Sequence, residues 1–184
     1  MNCKNMSIEL LAKQGRTRVY GGLAAIETSH LRQMRDSTLR SCFARIEETA
    51  YRMEHVAHIH GKEYINDAAS VSVNATWYTI EKTDGAIIWI ALGDDNQVDY
   101  TRLRTLALRK VSMLICVGND NSNLHRTFNG IVPEIIDVDT IAAAVQASCY
   151  SGIDHAKVLL SPATQPPTTP QELGREFRHQ VNEL

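Results

Sequence analysis

The chain has 184 residues, 43% hydrophobic and 22% charged, which is enough apolar content for one domain of ordinary size with a short extension. Its 19 basic and 21 acidic side chains leave a formal charge of −2, a balance that offers no footprint for nucleic acid or an anionic membrane. The longest apolar run, Ala86 to Leu92, falls far short of the ~20 residues of a membrane helix, and the N-terminal stretch lacks the apolar core of a signal peptide, so the expectation is a soluble, cytoplasmic protein.

In chain order, residues 1–50 are helical in pattern, carry more basic than acidic groups and contain no convincing strand; they read as an N-terminal helical extension. Leu10, Leu11, Leu23 and Ile26 give that segment an apolar face suited to self-association, so a homo-oligomer is one expectation. The stretch from 51 to 184 reads as a single domain. His58-Ile59-His60 lies beside a Gly61-Lys62 turn, and strand spacing puts both imidazoles on one face. No Cys or carboxylate group completes four ligands there, so the pair reads as exposed strand and no metal site is assigned.

Ala86–Ala91, Met113–Val117 and Ala156–Leu160 are short, nearly continuous apolar runs, the signature of strands covered on both faces. Glu134–Val138 is a weaker run suited to a place nearer an edge. Between these runs, Tyr100–Leu108 sets Leu103, Leu106 and Ala107 on one helical face, and Thr140–Ser148 is alanine-rich with Thr near its start. Ser161–Gly174 holds Pro162, Pro166, Pro167 and Pro170 and reads as loop, and an amphipathic helix from about Gln171 to Leu184 closes the chain.

Strand–helix–strand alternation with crossings too long for hairpins predicts an α/β, Rossmann-like, mostly parallel sheet flanked by helices. Ligands gather at the carboxyl ends of such strands, which nominates the loops Asn66–Asn74, Leu92–Asp99 and Ser161–Gly174. No phosphate loop is present, since Gly61-Lys62 is followed by Glu63, and neither a G-x-S-x-G elbow nor an H-E-x-x-H helix occurs. Cys3, Cys42, Cys116 and Cys149 show no C-x-x-C spacing, and Cys116 within Met113–Val117 reads as a small core hydrophobe.

Several segments follow one another in a telling order: Tyr51-Arg52-Met53-Glu54, Glu63-Tyr64-Ile65-Asn66-Asp67, Asn74-Ala75-Thr76, Trp89-Ile90-Ala91-Leu92-Gly93-Asp94-Asp95, Ile115-Cys116-Val117-Gly118-Asn119-Asp120-Asn121, Val158-Leu159-Leu160-Ser161-Pro162-Ala163 and Gly174-Arg175-Glu176-Phe177. In order and nearly in spacing this resembles the C-terminal domain of the Mur ligases, of the type that adds D-glutamate to a peptidoglycan precursor. Residues 1–50 would then match the end of the family's central ATPase domain and its linker. The resemblance implies a Rossmann-like domain closing over an ATP- and Mg-binding partner domain. There a carboxylate is activated as an acyl phosphate and attacked by an amine, chemistry that needs cations around the phosphate and anchors for the incoming carboxylates.

This sequence departs from the family where that chemistry lies. The family's D-S-K-A-T-N loop reads Asp67-Ala68-Ala69-Ser70-Val71-Ser72, so its lysine is Ala69 and its threonine Val71. The G-G-x-D-K-G loop reads Leu92-Gly93-Asp94-Asp95-Asn96-Gln97, with Asn96 for lysine, and S-P-A-C-A-S reads Ser161–Pro166, with Pro166 for the second serine. Upstream, the family's H-N-x-x-N element appears as Thr17–Gly21, and its histidine before Arg52 is Tyr51. Hydrogen bonds to a charged group are worth about 1.5–3 kcal/mol each, and Ala69, Val71, Asn96 and Pro166 cannot supply equivalents of both lysines and both hydroxyls.

Arg52 and Asp67 keep the family's separation, and the resemblance implies that they face a nucleotide, arginine toward ribose or phosphate and aspartate toward ribose hydroxyls. A local alternative stands beside this: Asp67 caps the following helix, and Arg52 pairs with it or with Glu54. Gly93 and Asp95 likewise have a turn-shaping role open to them. Three functions are therefore open. The first is a truncated, non-catalytic binding or interaction domain with no catalytic residues. The second is the D-glutamate-adding half of a ligase whose P-loop-bearing ATPase domain is on a partner chain. The third is a small ATP- or ADP-binding domain built on Arg52 and Asp67.

Overall fold

The computed structural model describes residues 51–94 and 97–184. The helical extension expected over residues 1–50, including Thr17–Gly21 and the apolar positions near Leu10 and Ile26, lies outside the described residues, as do Asp95 and Asn96. Strands β1 (Glu54–Ile59) and β2 (Lys62–Asn66) form an antiparallel hairpin. Its turn is His60-Gly61, with φ of 49° and 75°, the left-handed pair that matches the twist of a two-residue hairpin. This corrects one expectation. His60 belongs to the turn rather than the strand, so His58 and His60 do not share a strand face.

Helix α1 (Val73–Lys82) follows β2 and starts at Ser72, whose hydroxyl accepts from the Ala75 amide at 3.3 Å. At its other end the Lys110 ammonium donates to the Ile80 and Thr83 carbonyls at 3.2 and 3.0 Å, supplying a cation where the helix dipole is negative. Strand β3 (Ile87–Leu92) is buried at every position, as its unbroken apolar run requires. A 3-10 turn (Thr101–Leu103) leads into α2 (Arg104–Lys110), and Leu103, Leu106 and Ala107 are buried together as their spacing predicts. Then come β4 (Val111–Val117), α3 (Ser122–Phe128), β5 (Glu134–Val138), α4 (Ile141–Tyr150) and β6 (Lys157–Leu160). The last helix, α5 (Pro170–Asn182), opens on a reciprocal capping box between Thr169 and Glu172 with Pro170 in the first turn. Here the proline-rich loop is shorter than expected: it ends at Thr169, because a proline at the first helical position has no amide bond to lose.

The six strands are ordered β1-β2-β6-β3-β4-β5, and every pair except β1–β2 is parallel. The α/β, mostly parallel, Rossmann-like architecture is therefore as expected, with five helices among the described residues. Glu134–Val138 is the edge strand its weaker run suggested. Alternating strand residues feed two apolar layers. Ile87, Trp89, Ala91, Leu114 and Cys116 cluster with residues of α1, α2 and α3, while Ile88, Ile90, Met113, Ile115 and Val158 cluster with residues of α4 and α5. Trp89 anchors the first layer, edge-on to Phe128 with ring centroids 5.3 Å apart and its indole N–H donating to the Ser161 carbonyl at 2.8 Å. The chain runs outward through β3, β4 and β5 and then returns to lay β6 between β2 and β3. That reversal gathers the loops after β2, β3, β4, β5 and β6 at one edge of the sheet.

Candidate functional site

At that edge lies a cleft of about 420 Å³ bounded by Leu92, Gly93 and Asp94 after β3, Gly118 and Asn119 after β4, Asp139 after β5, and Gln165 and Pro167 after β6. Its floor is stitched by backbone: the Gly93 amide donates to the Val117 carbonyl at 2.8 Å, and Asp94 and Asp120 are joined by two bonds of 2.8 and 2.7 Å. Gly93 is glycine because a Cβ there would lie 2.0 Å from Asn121 Oδ1 and 2.9 Å from the Asp120 carbonyl oxygen. A Cβ at Gly118 would lie 2.6 Å from an Asp94 carboxylate oxygen. Gly93 thus lets two loops approach closely, while its neighbour Asp95 lies outside the described residues. Among the described residues that line the cleft there are two carboxylates, two amides and no cation.

Asp67 is fully buried just beyond β2. Its Oδ1 accepts from the Met53 amide at 3.1 Å, and its Oδ2 accepts from the hydroxyls of Thr79 at 2.6 Å and Ser161 at 3.3 Å. Burial pushes its carboxyl pKa up, against the pull of hydroxyl and amide donors. Asp67 does not cap α1, since Ser72 does. Arg52 is exposed and joins neither Asp67 nor Glu54, which pairs with Arg178. It lies instead on a second cleft of about 300 Å³ with Met53, Ser70, Ala75, Tyr78 and Thr79. Arg52 and Asp67 therefore stand on the two sides of the Met53 backbone, one open to solvent and the other sealed.

Of the positions aligned with family substrate contacts, Ala69 and Val71 are half-buried in the loop leading to α1, and Pro166 is buried in the loop after β6. The Ala69 amide is bonded to the Tyr51 carbonyl at 3.1 Å, and the Val71 amide to the Ala69 carbonyl at 3.1 Å, so both side chains hang from a fixed backbone. The two loops are bound together: Ser161 Oγ is 2.8 Å from Thr76 Oγ1, and the Ala163 amide donates to the Ser70 carbonyl at 3.1 Å.

One grouping has no counterpart in any sequence spacing rule. Cys116 on β4 is the direct cross-strand partner of Asp137 on β5, and α3, which joins those strands, brings His125 over both. His125 Nε2 lies 2.9 Å from each Asp137 carboxylate oxygen, and Asn121 donates to Asp137 Oδ1 at 2.9 Å. Burial, with the nearby Asp137 carboxylate, pushes the Cys116 thiol pKa up to about 12.

A crossover-built parallel sheet with loops and a polar cleft gathered at its carboxyl edge defines a Rossmann-like α/β domain. Over 158 residues the chain is 33% identical to the UDP-N-acetylmuramoylalanine–D-glutamate ligase of Porphyromonas gingivalis, covering 86% of this chain and 35% of that protein. It is 32% identical to the same-named ligase of Christiangramia forsetii, over 95% of this chain and 40% of that protein, and 29% identical to that of Bacteroides fragilis, over 98% and 41%. The chain is thus homologous to the Mur ligases, as its ordered motifs indicated, and it spans about two-fifths or less of the length of these relatives. No protein-family model matches the chain. Among the described residues no helix is long and apolar enough to cross a membrane.

Proposed function

We propose that this domain is a cytoplasmic, non-catalytic binding or interaction module derived from a D-glutamate-adding ligase of peptidoglycan precursor synthesis. The observation that carries this reading is the charge of the cleft at the strand ends. Asp94 and Asp139 line it, while Ala69, Val71 and Pro166 stand at the aligned positions where the family places a lysine and hydroxyls. A dicarboxylate entering beside two carboxylates is repelled, and among the described lining residues only the Asn119 and Gln165 amides, with no cation, are there to offset the repulsion. Isothermal titration of the chain with D-glutamate should give a dissociation constant no tighter than about 1 mM. Micromolar binding would overturn the reading. So would co-purification with a P-loop-bearing chain together with ADP release that depends on D-glutamate, the outcome expected of a split ligase.

A second reading, binding of ATP or ADP, is favoured by the cleft that holds Arg52. An exposed guanidinium beside the Tyr78 ring offers a phosphate partner and a stacking surface in one place. On this reading Arg52 contacts the nucleotide directly, while Asp67 holds the wall of the cleft from behind through Met53 and Thr79. ADP should then raise the melting temperature of the wild-type chain and not that of Arg52→Ala. Equal shifts in both, or none in either, would end it.

A further inference from the structure

We propose that Cys116, His125 and Asp137 form a binding site for a divalent transition-metal cation of the zinc class, set on the face of β4 and β5 covered by α3. One ligand atom from each of the three lies within 4.8 Å of the others. Three protein ligands around a zinc ion at bond lengths of about 2.0–2.3 Å sit about 3.3–3.7 Å apart, so small side-chain rotations close the set while leaving a fourth position for water.

The fold builds this trio from three elements that it already holds rigid. Parallel register puts Cys116 opposite Asp137 with both side chains on one face of the sheet, and the crossover helix between the same two strands supplies the imidazole. The donor set is thiolate, imidazole and carboxylate, which suits zinc and its spectroscopic substitute cobalt and disfavours magnesium and calcium. Asp137 is held from behind by the Asn121 amide on Oδ1, leaving Oδ2 to turn toward a cation. Such a support is what fixes a ligand's orientation in metal sites. The pocket is graded in exposure: the Cys116 sulfur lies at its sealed end, while the side chains of His125 and Asp137 are 38% and 54% exposed, so an ion enters from solvent. On binding, the Cys116 S–H bond breaks, the sulfur lone pair forms the metal–sulfur bond and the proton leaves to solvent. The Nε2 proton that His125 shares with Asp137 passes to solvent or, by tautomer exchange, is replaced by one on Nδ1, and the freed Nε2 lone pair forms the bond to the metal.

The site is separate from the cleft at the strand ends but adjoins it, because Asn121 also donates to the Gly118 carbonyl at 3.2 Å on the cleft wall. A bound ion would therefore pin α3 and the loop after β4 in their present arrangement.

The test is titration of the full chain with Co²⁺, read by absorption. Wild-type protein should bind one equivalent, with a thiolate-to-cobalt charge-transfer band and intense tetrahedral d–d bands, and Zn²⁺ should displace it. Cys116→Ser should abolish the charge-transfer band. His125→Gln and Asp137→Asn should keep it but weaken cobalt binding about 100-fold or more, beyond the 10–100-fold expected when only a supporting residue is lost. His125→Gln alters a half-exposed side chain, so it carries the test if Cys116→Ser fails to fold. Absence of a thiolate band in the wild type, its persistence in Cys116→Ser, or affinities unchanged in His125→Gln and Asp137→Asn would each overturn the proposal.

Discussion

Thr79 Oγ1 donates to Asp67 Oδ2 at 2.6 Å, fastening the middle of α1 to the residue that follows β2. This contact makes Asp67 an internal brace. Asp67→Ala would remove the partner of the part-buried Met53 amide, whereas the Thr79 hydroxyl keeps the Ala75 carbonyl and the Ser161 hydroxyl keeps Thr76. The loss should therefore be about 0.5–1.5 kcal/mol in urea unfolding, the net worth of one hydrogen bond rather than three.

The pH dependence of this brace has a definite sign. Burial raises the folded-state pKa of Asp67 above its ordinary value of 3.8. A raised carboxyl contributes stability that is fully present below that value and is lost as pH climbs through the folded pKa. The stability advantage of the wild type over Asp67→Asn should be widest at acidic pH and narrow as pH rises. A gap that grows with pH would mean that the hydroxyl and amide donors, not burial, dominate.

Gly174 in α5 sets helix propensity against packing. Alanine there would gain about 1 kcal/mol of propensity, yet its Cβ would lie 2.4 Å from the Tyr51 ring. That ring is held in turn by the Arg178 guanidinium, 5.1 Å from its centroid, so it does not swing aside freely. Overpacking costs about 1–3 kcal/mol, and Gly174→Ala should be net destabilising. In a Tyr51→Gly background, which also removes the Tyr51 Cβ that lies 3.0 Å from the new methyl, the same change should stabilise, by up to about 1 kcal/mol. Thermal unfolding of the four proteins decides it, and equal signs in both backgrounds would refute the contact.

Lys62 is only 3% exposed, and its ammonium donates to the Cys149 and Ser151 carbonyls at 2.8 and 3.0 Å, at the end of α4. Lys62→Met keeps the apolar stem and removes the cation from a helix C-terminus, at a cost of about 1–3 kcal/mol by chemical denaturation. A change below about 0.5 kcal/mol would mean that water takes over both carbonyls.

On the proposed reading, restoring the family's side chains should restore amino-acid binding. Ala69→Lys and Val71→Thr alter side chains on a loop whose backbone bonds are independent of them, so both variants should fold. Each restored charge-assisted bond should tighten D-glutamate binding by about tenfold or more, read by isothermal titration. Affinity that stays undetectable in the double variant would locate the loss outside these two positions.

Much of this domain is written locally. The apolar runs at Ile87–Leu92, Val111–Val117 and Lys157–Leu160 are strands because they are short and nearly unbroken, and Thr140 and the Thr169–Glu172 pair mark helix starts through bonds to their own next turn. The succession of motifs was likewise enough to place the chain among the relatives of the Mur ligases, since order along the chain is a property of the sequence alone. What the tertiary structure decided is which distant residues meet. That Asp67 turns inward while Arg52 faces a cleft, that His60 leaves the strand of His58, and that Cys116, His125 and Asp137 converge all depend on strand register and on how a crossover helix lies on the sheet. Those contacts are set by the packing of both apolar layers at once, and no periodicity within a short stretch of chain encodes them.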